Sequence, residues 1–257
     1  MSYFDAIILG LIQGLTEFLP ISSSGHLVLT EHLLGATMPG VIFELVVHFG
    51  TWMSVFIYFR KKVLRLIKSV LVSGLEAERK LLLYLVIGTA PLVIVAVPLK
   101  DSILSAFGSP LTTAVFLVVT GIILLLTAVV PRGTGKISLR NAVVMGAGQA
   151  LALFPGISRS GTSISAGLFA GVKPVEAAEF SFLLFLPAIG GAIIYRAHEF
   201  INLNPSLIGQ YIVGAVISFI AGMVAVYLLL SIIRKGKFKY FGIYCVIVGL
   251  IGIIYFS

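Results

Sequence analysis

Apolar residues fill this chain in runs long enough to cross a bilayer, and most polar residues fall between the runs. A helix needs about 20 apolar residues to cross a hydrocarbon core about 30 Å thick. Six stretches meet that length, at residues 40–59, 81–99, 111–130, 175–195, 207–233 and 239–256. Backbone polar groups in lipid must be satisfied within the segment, so the pattern predicts helices. Two further regions, Tyr3 to Gly35 and Asn141 to Gly171, are apolar but broken. The first breaks at Pro20-Ile21-Ser22-Ser23-Ser24-Gly25 and the second at Pro155-Gly156-Ile157-Ser158-Arg159-Ser160-Gly161. The piece from Ser24 to Gly35 covers only about 18 Å as a helix, too short to cross. Each region therefore reads as two half-helices meeting at a polar tip, a re-entrant pair.

The two broken regions are copies of one another. Residues 13–35 align without a gap on residues 149–171. Identical residues stand at Gln13/Gln149, Leu15/Leu151, Phe18/Phe154, Ile21/Ile157, Ser22/Ser158, Ser24/Ser160, Gly25/Gly161 and Gly35/Gly171. Scattered leucines and glycines match easily by chance; Ile-Ser-x-Ser-Gly in both copies is harder to obtain that way. The expected fold is an all-α polytopic membrane protein, one membrane domain over residues 1–257. It divides into pseudo-repeat halves 1–135 and 136–257, each a re-entrant pair followed by three crossings. Three crossings per half invert the second half relative to the first.

Charge supports this division. The chain has 257 residues, 59% hydrophobic and 11% charged, with a mean hydropathy of +1.12. A soluble domain carries about a quarter charged residues, so the composition belongs to the membrane class. The net charge of +8 would suit nucleic acid, but the basic residues sit where topology wants them. With the N-terminus outside, Arg60, Lys61, Lys62, Arg65, Lys68, Arg79 and Lys80 fall on the cytoplasmic side. So do Arg132, Lys136, Arg140, Lys173, Arg234, Lys235, Lys237 and Lys239. Only Lys100, Arg159 and Arg196 remain. No nucleic-acid partner is expected, and both termini come out extracytoplasmic. Cys245 is the single cysteine, which excludes an intramolecular disulfide.

Candidate chemistry gathers at the two breaks. Gln13 and Glu17 are four apart and share a helix face in an apolar run. A carboxylate there is costly and marks a functional candidate, with a polar contact between helices as the plainer reading. Glu17, with Gln13 as a neutral oxygen ligand, would suit a hard divalent cation, Mg2+ or Ca2+. Ser22, Ser23 and Ser24 begin the second half-helix, where hydroxyls serve as caps and free N–H groups also bind phosphate. His26 follows in the first turn and is a candidate acid/base or nucleophile. In the second break, Arg159 is the one Lys or Arg between Arg140 and Lys173. Buried in an apolar hairpin it needs an anion, either Glu17 or a phosphate gripped by its guanidinium fork. Gly156, Ser158, Ser160, Thr162 and Ser163 surround it as candidate phosphate contacts. In inverted repeats two such hairpins meet near the midplane with helix N-termini converging. Glu44 and His48, also four apart, either line the same cavity or form a structural pair.

Gln13-Gly14-Leu15-Thr16-Glu17-Phe18-Leu19-Pro20-Ile21-Ser22-Ser23-Ser24-Gly25-His26 resembles the first signature of the BacA-type undecaprenyl-diphosphate phosphatases. Pro155-Gly156-Ile157-Ser158-Arg159-Ser160-Gly161-Thr162 resembles the second. Order, spacing and hydropathy agree over essentially the whole chain. The resemblance implies hydrolysis of undecaprenyl diphosphate to the monophosphate and inorganic phosphate, recycling the lipid carrier for cell-wall synthesis. It implies a divalent cation, a site facing the outside of the bacterial cytoplasmic membrane, and bacitracin resistance when the enzyme is abundant. Glu17, His26 and Arg159 match positions the family treats as essential, and Ser23 matches an important serine. The family commonly has threonine where this chain has Ser163, with Thr162 one place earlier. The attacking group stays open among Ser23, Ser24, His26 and water. Partners are the polyprenyl diphosphate and membrane lipids, with a homodimer left open. The main rival reading is a transporter or flippase for the lipid phosphate, since inverted repeats with broken helices are transporter architecture.

Overall fold

A computed structural model describes residues 1–34 and 41–257. Twelve α-helices carry the described chain. In the first half α1 (Tyr3–Phe18) and α2 (Ser23–Leu34) form the first broken pair. Then come α3 (Val41–Tyr58), α4 (Arg60–Lys68), α5 (Glu76–Ala96), α6 (Lys100–Phe107) and α7 (Pro110–Leu126). The second half has the pair α8 (Leu139–Leu151) and α9 (Arg159–Phe169), then α10 (Pro174–Tyr195), α11 (Ile208–Arg234) and α12 (Lys239–Phe256). Helices α5, α7, α10, α11 and α12 are each long and apolar enough to cross a membrane. Helices α3 and α4 reach that length and apolarity only together and are bent by 80° at Phe59, which brings the count of such spans to five or six among the described residues. The described chain is thus all-α and polytopic. The expected first crossing begins at residue 40 and the first repeat copy ends at Gly35; both positions lie outside the described residues.

The reason for the bend is local. Val63 and Leu66 are buried while Arg60, Lys61, Arg65 and Lys68 are not, so α4 is amphipathic and belongs at an interface. The long helices instead expose Ile94, Ile212, Tyr227, Ile251 and Ile254, the surface that lipid covers.

The halves interlock by exchange. Helix α1 packs along α11 of the other half, and its counterpart α8 packs along α5. Helices α7 and α12, which close the two halves, pack on each other. Both exchanged contacts bring backbones together through glycine. A Cβ on Gly10 would lie 2.7 Å from the Gly214 oxygen, and one on Gly146 would lie 2.0 Å from the Gly88 oxygen. Small residues at such crossings let dispersion and polar contacts drive association where no hydrophobic effect operates. The linker between the halves folds back on the start of α10: Gly135 N–H donates to Gly171 O at 3.0 Å and Lys173 N–H to Gly135 O at 2.9 Å.

Candidate active site

The two tips repeat one hydrogen-bond scheme. Gly25 N–H donates to Ser22 Oγ at 3.2 Å, and Gly161 N–H donates to Ser158 Oγ at 3.0 Å. The hydroxyls of Ser22 and Ser24 lie 3.4 Å apart, those of Ser158 and Ser160 3.3 Å apart. Ser22 and Ser158 therefore cap α2 and α9, as helix-start serines do. The turns differ. Ser22 takes a positive φ of 67°, a costly conformation for a residue with a side chain. In the second copy the positive φ, 93°, falls on Gly156 instead. Gly156 also lies against α7, where a Cβ would come within 2.2 Å of the Thr113 oxygen. Thr120 ties this turn to α7: its hydroxyl donates to Gly156 O at 2.8 Å and accepts from Ser158 N–H at 3.1 Å.

The tips touch, and their charged residues meet. Arg159 Nη2 donates to Glu17 Oε1 at 2.7 Å. Gln13 Nε2 donates to Glu17 Oε2 at 2.9 Å and Ser23 Oγ donates to the same oxygen at 2.6 Å. His48 Nε2 lies 3.8 Å from Glu17 Oε2. The Glu17 side chain is only 6% exposed, so this pairing offsets a large desolvation cost. Arg159 also lies over the Phe185 ring, 4.1 Å from its centroid, while its Nη1 is buried without a hydrogen-bond partner among the described residues. Phe18, next to Glu17, is clamped edge-on by Phe182 and Phe185 of α10, which fixes the end of α1.

A cavity of about 290 Å³ opens at this junction. Glu17, Ser22, Ser23, Ser24, Ser158 and Arg159 supply its polar wall, together with Glu44, His48 and Gln149. Leu92, Ile103, Phe107, Phe185 and Ile189 supply an apolar one. Of the two alternatives for Glu44 and His48, both residues line the cavity; His48 also bonds the Glu44 carbonyl through Nδ1 at 2.8 Å.

Several expected contacts lie elsewhere. His26 is not among the cavity residues. Its Nδ1 donates to Ser22 O at 2.8 Å, its Nε2 accepts from Tyr244 OH at 2.8 Å, and its ring stacks on Tyr244. Both ring nitrogens are used in holding the strained Ser22 turn to α12. Thr162 bonds back to Ser158 O at 2.8 Å within its own helix, as hydroxyls in helices commonly do. Ser163 pairs with Ser181 of α10 at 2.5 Å, and Ser160 donates to Leu19 O at 3.3 Å. Gly156 is committed to α7. These four shape the second tip from behind rather than line the cavity. Phe185, Tyr244 and Thr120 had no signal in the sequence, because each is an ordinary residue inside an apolar run.

A hard cation takes oxygen ligands. Among the described residues no three His, Cys, Asp or Glu side chains gather as a metal cage. The donors at the tip still fit one: the Glu17 carboxylate, cavity hydroxyls, and Gln13 Oε1, which is buried with no hydrogen-bond partner.

Residues 6–251 match the family described as bacitracin resistance protein BacA. This chain belongs to that family. It is 38% identical to an undecaprenyl-diphosphatase of Salinibacter ruber, an alignment covering 98% of this chain and 99% of that one. It is 43% identical to an undecaprenyl-diphosphatase of Korarchaeum cryptofilum, over 97% and 98% of the two chains. A third undecaprenyl-diphosphatase, from Syntrophotalea carbinolica, is 40% identical over 97% of each. The matched residues include every residue that lines the cavity.

Proposed function

We propose that this chain is a phosphatase that hydrolyses undecaprenyl diphosphate to undecaprenyl phosphate and inorganic phosphate. The observation that carries it is the Glu17–Arg159 pair, 2.7 Å apart, joining two helix tips in a cavity with one polar and one apolar wall. The first amides of α2 and α9 have no intrahelical carbonyl, and with Arg159 they offer donors to a phosphoryl group. Such preorganised donors are the main source of catalysis in phosphoryl transfer. The apolar wall takes the first isoprene units.

Ser23 is the attacking group that the geometry favours. Its hydroxyl already donates to Glu17 Oε2 at 2.6 Å, the arrangement of a nucleophile with its base. The Ser23 oxygen bonds to the terminal phosphorus, its proton passes to Glu17, and undecaprenyl phosphate leaves. Water then attacks the phosphoserine phosphorus, the bond to the Ser23 oxygen breaks with release of inorganic phosphate, and the Glu17 proton returns to that oxygen. Glu17 and Gln13 Oε1 would hold a Mg2+ or Ca2+ ion, which supplies charge neutralisation on the diphosphate when bound. Ser22, Ser24 and Ser158 line the phosphate end, and His26 acts by positioning Ser22. On this reading the protein works in the bacterial cytoplasmic membrane with its cavity facing outward, recycling the carrier for peptidoglycan and conferring bacitracin resistance. A homodimer is compatible with this role. Residues 1–135 and 136–257 act as two halves of one membrane domain.

Phosphate release from undecaprenyl diphosphate by detergent-purified protein, with and without chelator, tests the reading. Release that stops on chelation and in Ser23→Ala is expected. Binding of the lipid with no phosphate released would instead make the protein a carrier.

A further inference from the structure

Gln149 stands in α8 where Gln13 stands in α1. In the first half the carboxylate one turn onward, Glu17, takes the Gln13 amide. In the second half that position is Leu153, which offers no acceptor. Gln149 is nevertheless 0% exposed and lines the cavity beside Ser158 and Arg159. Among the described residues, neither its Nε2 nor its Oε1 has a hydrogen-bond partner. A buried amide left unmatched is destabilising, and a leucine of similar volume would avoid that cost. Arg159 lines the same cavity, and its Nη1 is also buried and unmatched among the described residues. Two unmatched donors on residues that line one cavity suit a ligand rich in acceptors, which describes a diphosphate.

We propose that Gln149 is a substrate-binding residue whose amide Nε2 donates to a phosphate oxygen of the lipid diphosphate. The inference rests on the hydrolase reading above and adds a contact that neither signature contains. Duplication kept the glutamine in both copies and gave each a different duty. Gln13 orients the carboxylate; Gln149 grips the ligand.

The test compares Gln149→Leu with wild type in detergent, using undecaprenyl diphosphate for turnover and inorganic pyrophosphate as a tail-less competitor. A hydrogen bond to a charged group corresponds to roughly ten- to hundredfold in affinity. KM for the lipid and the inhibition constant for pyrophosphate should both rise by about that factor, with the melting temperature equal to or above wild type. Gln149→Glu, which sets a carboxylate against the phosphates, should lose more. Should the leucine variant fail to fold, Gln149→Asn, one methylene shorter, should show the same two rises. Unchanged constants in a folded variant would overturn the proposal. So would a rise in the lipid KM alone, which would mark a tail contact. If wild type releases no phosphate, the hydrolase reading fails instead. The difference in pyrophosphate binding between wild type and Gln149→Leu, read by thermal shift, would still decide the role of Gln149.

Discussion

Glu17 sits under four neighbours, and their chemistry makes removal of each charge unequal. Arg159→Gln leaves a carboxylate buried with only neutral donors and His48 nearby. Breaking one side of a buried pair costs about 3–5 kcal/mol, so the melting temperature should fall sharply along with phosphate release. Glu17→Gln with Arg159→Gln removes both charges, and the double variant should regain much of the stability while remaining inactive. Recovery of stability without activity separates the pair's structural work from its chemistry; recovery of both would refute the assigned role. Tyr244→Phe is a contrasting case. It deletes one hydrogen bond on a ring that is not part of the cavity lining, costing about 1 kcal/mol. Turnover should stay near wild type, whereas a proton relay through Tyr244 would show a loss of a hundredfold or more. Glu17 and Arg159 were readable in the sequence because a charge inside an apolar run has few explanations. The position of His26 was not, because its partner Tyr244 is 218 residues away and the ring's direction depends on that contact.

At the scale of elements, helix exchange makes paired predictions. Gly10 and Gly146 occupy equivalent positions in α1 and α8, and each lets a helix of the other half approach. Gly10→Ala and Gly146→Ala should both destabilise the protein by about 1–3 kcal/mol through overpacking against backbone. Gly146→Ala should cost more, because its Cβ would meet Gly88 O at 2.0 Å against 2.7 Å for Gly10 on Gly214. Thermal unfolding in detergent reads both, and a reversed order would show that the two contacts are not equivalents. The repeat that predicts this pairing was legible in Ile-Ser-x-Ser-Gly, and the long helices in their apolar runs. The cavity-lining helix α6 was not: Lys100 to Pro110 reads as a polar break, and its eight residues carry too little pattern to distinguish a helix from a loop. The bend at Phe59 was hidden for a different reason. The apolar run ends legibly at residue 59, but the basic stretch after it reads as a loop, and its folding as an amphipathic helix turned by 80° was not legible.

At the scale of the whole molecule, three helices agree on where the cavity opens. Helix α3 contributes Glu44 and His48 from its beginning, and then runs on into basic α4. Helix α5 starts beside Arg79 and Lys80 and contributes Leu92 from its far portion; α10 starts after Lys173 and contributes Phe185 to Ala192 from its second half. The basic loops come together at the opposite end, where Lys62, Lys80, Lys136, Glu176 and Glu179 line one groove and Lys62 pairs with Glu179 at 2.8 Å. Since Lys and Arg mark the cytoplasmic side, the cavity should open outward. Accessibility in whole cells checks this. Cys245, the sole cysteine, is buried against Pro20 O and should not react with a membrane-impermeant maleimide. A cysteine at Ala192, an exposed residue of the cavity wall, should label in intact cells. A cysteine at Lys136 should label only after the membrane is opened. The reverse pattern would place the site on the cytoplasmic face and remove the proposed access to lipid diphosphate released outside. Labelling of both positions in intact cells would mean that the compound enters, and the Lys136 variant detects that case.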